Sequence, residues 1–178
     1  HGFESVTFTN GGMLIEQARL RLGQRLLRRP WLGPALMPLM SYPVFRRQVR
    51  SAAGGNGPGD ADLRSMWAAL EQGAGRRAMP GTLRYIDQRR RYQGARWLPA
   101  LSHTETPMHF CWGDADRVAP VAIADTLVAR HARRALLTRL SGVGHFCQLE
   151  APERWLDAVC GFWDRRVPQP ASKAPSRG

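Results

Sequence analysis

Three side chains late in the sequence have the types and spacing to do acid–base chemistry together. Asp114 and Asp116 come directly after the run 107–113, and His145 lies inside the segment Ser141-Gly-Val-Gly-His-Phe146. A carboxylate that accepts a hydrogen bond from one imidazole nitrogen fixes the tautomer and leaves the other nitrogen free to act as a base. That arrangement is the acid-and-base half of a catalytic triad. Each residue also has a plainer role open to it. A loop aspartate commonly caps free backbone N–H groups, and a loop histidine is commonly only solvated.

The surrounding elements decide whether the three can meet. Residues 108–112 are apolar and aromatic with His109 embedded, opened by Pro107 and closed by Gly113, which predicts a buried strand. Residues 120–131 put Ile123, Leu127 and Val128 on one face, a short amphipathic crossover helix. Residues 135–140 form the next strand, so the two strands are expected to be parallel neighbours. In an open parallel sheet, ligands bind outside the carboxyl ends of the strands, and Asp114, Asp116 and His145 would all emerge at that edge.

The pattern Pro107-x5-Gly113-x2-Asp116-x3-Pro120, then Gly142-x-Gly-His145-Phe, Leu149-Glu-x-Pro152 and an amphipathic helix, resembles the C-terminal end of an α/β-hydrolase. By position the resemblance implies Asp116 as triad acid and His145 as general base, with Asp114 where that family tolerates many residues. The fold class implied is α/β: the C-terminal part of an α/β-hydrolase sheet carrying a helical cap insertion.

From its start the chain reads as a strand over residues 1–10, with Phe3, Val6 and Phe8 interleaved among polar residues and Asn10-Gly11 as a closing turn. Its 178 residues allow one domain with a sizeable core. There is neither a signal peptide nor an apolar run of membrane-spanning length, so a soluble protein is expected. Cys111, Cys147 and Cys160 show no metal-like spacing and suggest reduced thiols in a cytoplasmic setting. No cofactor or metal is expected.

The formal charge is +12, and Lys173 is the single lysine among 26 basic residues. Because the arginines are spread over every predicted helix, with no binding motif beside them, specific nucleic-acid recognition is not the favoured reading. Residues 13–97 read as helical with proline- and glycine-rich breaks. Leu20, Leu22, Leu26 and Leu27 make one apolar side of a first helix ended by Pro30. Residues 53–59 read as a flexible loop. Asp60 or Asp62 then caps a helix bearing Leu63, Met66, Trp67 and Leu70, and a further helix runs from Pro80 through Leu83, Tyr85 and Ile86. The last helix, 152–163, is expected to pack Trp155, Leu156, Val159, Phe162 and Trp163 on the sheet.

Thr9-Asn-Gly-Gly12, Ser65-Met-Trp67, Tyr85-Ile-x-Gln-Arg89 and Arg96-Trp97 resemble the mesoderm-specific-transcript branch of the fold, itself similar to epoxide hydrolases and haloalkane dehalogenases. The resemblance implies that the helical insert caps the pocket and that Trp67 and Tyr85 line it for a small, apolar substrate. Helical spacing equally allows both aromatics to be core residues of the cap. The expected organisation is a core strand at 1–12, the cap at 13–101, the C-terminal part of the core at 102–166 and a disordered tail at 167–178.

In this fold the nucleophile sits on a glycine-flanked elbow ahead of the acid and histidine. Ser5, Ser41, Ser51, Ser65 and Ser102 all lack elbow glycines. The expectation is therefore a fragment whose nucleophile lies before His1. It would come from a hydrolase of esters, epoxides or carbon–halogen bonds and be inactive as given. The alternative is a non-catalytic binding or scaffold protein of the same fold. A fragment would also leave the strands at 108–112 and 3–8 each lacking a parallel neighbour.

Overall fold

The computed structural model describes residues 2–55 and 57–165. The tail expected at 167–178 lies outside the described residues. Three parallel strands form one sheet in the order β1 (Val6–Thr9), β2 (Met108–Gly113), β3 (Leu136–Leu140). Every residue of β2 is buried, as a strand covered on both faces must be. Its even-numbered side chains, Phe110 and Trp112 with Met108, pack with Ile123 and Leu127 of α8 (Ala122–Arg130). Its odd-numbered ones face the other way: Cys111 joins Cys147 and Trp155, and the His109 ring lies 5.0 Å from Phe162 of α10 (Pro152–Asp164).

β2 is thus the central strand, flanked on both sides, and the expected missing neighbour at 108–112 is corrected. The chain leaves β1, makes its long excursion and returns between β1 and β3, so the outer strands are β1 and β3. β1 is also shorter than expected. Its register runs from Val6 opposite Met108 to Thr9 opposite Cys111, with Val6 N–H donating to Pro107 O at 2.9 Å. Pro107 has no N–H to extend the ladder, and Phe3 is left 79% exposed.

Among the described residues between β1 and β2 all regular structure is helical: α1 (Leu22–Leu27), α2 (Leu32–Leu36), α3 (Tyr42–Ala52), α4 (Asp60–Glu71), α5 (Gly75–Leu83), α6 (Tyr85–Tyr92) and α7 (Leu98–His103). A separate core of Leu27, Met37, Met40, Phe45, Val49 and Leu63 holds this layer together. The expected single apolar side of the first helix is not what forms. Leu27 is buried, whereas Leu22 and Leu26 are exposed, because five residues of α-helix rotate a side chain by about 140° away from the first. In α10 the same geometry buries Val159 and Phe162 but leaves Leu156 and Trp163 exposed, contrary to expectation.

The loop expected to be flexible is anchored at its start. Gly54 N–H donates to Glu150 Oε2 at 2.7 Å, and Gly55 N–H to Gly142 O at 3.4 Å. A Cβ on Gly54 would stand 2.6 Å from both Gly142 O and Gly144 N, and one on Gly144 would overlap the Gly54 nitrogen. Glycine is required on both sides because the two backbones touch. Among the described residues, no helix is long and apolar enough to cross a membrane.

Two expected outcomes follow from these contacts. Gly144→Ala should lower stability by about 1–3 kcal/mol in urea unfolding, as overpacking does; an unchanged midpoint would show that the backbones can part freely. His109 is fully buried, with Nε2 3.0 Å from Thr138 Oγ1 and Nδ1 unpartnered among the described residues. Burial, aided by the Arg165 charge, lowers its pKa from 6.5 to about 4. The unfolded chain therefore takes up a proton that the folded one refuses. The His109 contribution, up to roughly 3 kcal/mol, is present above pH 6.5 and lost as pH falls toward 4. Unfolding of a His109→Phe variant compared across that window should show a flatter pH slope.

Candidate active site

All three strands end at one edge of the sheet, and each contributes a residue to the same cluster. Asn10 follows β1 in a left-handed conformation, φ 45°, which asparagine tolerates better than most residues. Asp116 follows β2, and His145 follows β3. The Asp116 side chain is wholly buried and that of His145 is 26% exposed.

His145 Nδ1 lies 2.8 Å from Asp116 Oδ2. The same oxygen accepts from Asn10 Nδ2 at 2.6 Å, while Oδ1 accepts the N–H groups of Val118 at 2.7 Å and Ala119 at 2.9 Å. An acceptor surrounded by four donors directs Nδ1–H toward the carboxylate. Nε2 then carries the free lone pair, and it has no hydrogen-bond partner among the described residues. Asp114 does something else: exposed at the surface, its Oδ1 accepts Gly142 N–H at 2.7 Å and braces the histidine loop.

Asn10 is the residue that sequence reasoning missed, having treated it as a turn. Besides Asp116, its Nδ2 donates to Gly144 O at 3.0 Å, and its Oδ1 accepts Gly113 N–H at 3.1 Å and the Cys147 thiol at 2.7 Å. Glu150, the last residue of α9 (Cys147–Glu150), was missed as well. One of its carboxylate oxygens accepts from Gly54 and Gly144, and the other from Phe146 N–H at 3.0 Å, so it pins the histidine loop from below. The signals available were slight: a polar residue in the turn after a strand, and an acid two residues before the start of the last helix.

Two cavities open on His145. One, about 280 Å³, is walled by Leu27, Met40, Phe45, Val49, Met66 and Leu83, among others. The other, about 120 Å³, runs past Asn10, Gly12, Tyr85 and Arg89. Tyr85 therefore reaches the histidine's surroundings. Trp67 lines neither cavity; it packs against Phe45 and Tyr42, with Arg76 over its ring at 5.4 Å. Among the described residues no serine, cysteine or aspartate lines either cavity. Burial raises the Cys111 thiol to about 11 and the Cys147 thiol to about 12, so neither is a thiolate nucleophile at neutral pH. The Ser102 hydroxyl is bonded to Leu98 O within α7.

No family model matches the chain. It is 33% identical over 162 residues to the human mesoderm-specific transcript homolog protein, a match covering 89% of this chain and 48% of that one. It is also 33% identical over 153 residues to a Mycobacterium tuberculosis protein named as a hydrolase, LipZ, covering 85% of this chain and 52% of that protein. Among solved structures, an α/β-hydrolase fold protein from Burkholderia ambifaria superposes with a TM-score of 0.65 at 21% identity, over 89% of this chain and 57% of the other. A serine hydrolase involved in carbazole degradation gives 0.57 at 20% identity, over 70% and 48%.

The chain has the α/β-hydrolase fold of these structures. It spans about half the length of the curated relatives it matches. Within this hydrolase fold, the three-strand sheet and its cluster of Asn10, Asp116 and His145 form one carboxyl-end edge.

Because Asn10 satisfies four buried groups, Asn10→Ala should cost about 1–3 kcal/mol of stability. It should also shift the NMR signal of the His145 Nδ1 proton. A variant with wild-type unfolding and an unmoved signal would remove Asn10 from the cluster's support.

Proposed function

We propose that this chain supplies the acid and the general base of a hydrolase, with residues 13–101 as the cap over its pocket. The observation that carries the reading is the 2.8 Å contact between His145 Nδ1 and a fully hydrogen-bonded Asp116 carboxylate. Nε2 takes a proton from the attacking oxygen, and Asp116 stabilises the imidazolium that results. The attacking group is a serine hydroxyl for ester cleavage, or water once an aspartate has formed an ester in epoxide or carbon–halogen cleavage. Among the described residues no such nucleophile lines the His145 cavities, so this reading takes it from another part of the full-length protein. The aliphatic walls of the larger cavity support a small, mainly apolar substrate. The three free thiols fit a reduced, cytoplasmic setting.

The same absence favours a second reading: a binding or scaffold protein that keeps the fold without the chemistry. In the full-length protein containing these residues, His145→Ala should lower turnover of a generic ester or epoxide by about 10²–10⁴-fold. The 178-residue chain alone should hydrolyse either only marginally. A full-length protein inert toward both, with His145→Ala indistinguishable from wild type, would favour the scaffold.

A further inference from the structure

The two chambers that meet at His145 differ in kind. The 280 Å³ chamber is mostly aliphatic, and its one arginine, Arg21, is engaged by the Ser51 carbonyl. The 120 Å³ chamber carries Arg89, on α6. Gln24, Val118 and His145 border both.

Arg89 is placed as a cation waiting for an anion. The Tyr85 ring covers one face of its guanidinium, 4.3 Å from the centroid. A Cβ on Gly12 would stand 3.1 Å from its Nη1, so the glycine after the β1 turn leaves the space that this group fills. Among the described residues no carboxylate pairs with it, and Asp87 on the same helix pairs with Arg28. Desolvation pulls its pKa below the ordinary value against the opposing pull of Tyr85. A ring face offsets part of the cost of removing a cation from water, but the planar fork of N–H donors is left to a ligand. That fork matches a carboxylate edge to edge.

We infer that Arg89 is the anion-recognising group of this site and that its substrates are small amphiphiles. The apolar chain lies in the larger chamber, a carboxylate lies on Arg89, and the bond to be cleaved lies between them beside Nε2 of His145. The inference rests on the reading of His145 as the general base.

The test titrates the 178-residue chain with octanoate, octanol and octyl phosphate, following His145 and arginine side-chain resonances by NMR. Octanoate should bind roughly tenfold or more tightly than octanol. Arg89→Gln should bring that ratio near one with octanol affinity unchanged, and Arg89→Lys should keep part of it. A ratio unmoved in Arg89→Gln overturns the assignment, and octyl phosphate binding more tightly than octanoate overturns the carboxylate class. Should Arg89→Gln lose its folded spectrum, an undiminished ratio in Arg89→Lys overturns the assignment instead. Octanol shifting His145 without any carboxylate preference defeats Arg89 alone. A folded chain in which no ligand moves the His145 resonances defeats the site reading as well.

Discussion

The carboxylate of Asp116 is the interaction on which the rest of this structure depends. A carboxylate with no exposed surface is costly unless every lone pair is used, and its four donors come from three separate places. Asn10 arrives from the end of β1, Val118 and Ala119 from the turn after β2, and His145 from the loop after β3. Satisfying the acid therefore requires all three strand ends to converge. The orientation of the imidazole comes with that convergence, so one set of bonds serves both folding and the geometry of the proposed base.

A second constraint couples the helical layer to the same point. The end of α3 and the histidine loop meet backbone to backbone through Gly54 and Gly144, with His145 N–H reaching Ala52 O at 3.4 Å. Gly113 also lies against this loop: a Cβ there would stand 2.3 Å from Val143 O and 2.6 Å from Gly144 O. Glu150 joins the two segments by accepting from both glycines. With no side chain between them, the layer has little freedom to slide over the sheet edge without dragging the histidine along. The layer thereby fixes the walls of a cavity whose other wall is His145 itself.

That coupling gives the site two unlike sides. Aliphatic residues of α1, α3, α4 and α5 meet one side of the imidazole, and the polar stretch from Asn10 to Gly12 with Arg89 meets the other. If His145 is the base we propose, its place on such a border suits a substrate that is itself divided into an apolar and a polar part.

Some of this was present in the residues alone. The buried run ending at Gly113, the Asp116 and His145 spacing and the motifs at 142–152 fix an α/β sheet edge, because an all-apolar strand and a glycine-shaped loop have few other uses. The helical character of the segment between β1 and β2 is likewise written in its spacing. The motif spacing pointed to Asp116 over Asp114 as the partner of the imidazole, and the structure places it there, but only the tertiary structure showed that Asp114 braces the histidine loop instead. It also decided that β2 is central, that Asn10 is a buried hub, that residues 54–55 are anchored, and that Tyr85 but not Trp67 lines a cavity shared with His145. The reason is common to all of them. Local pattern reports which face of an element is apolar, whereas these outcomes depend on contacts between segments far apart in the chain, such as the 106 residues between Asn10 and Asp116, that no periodicity encodes.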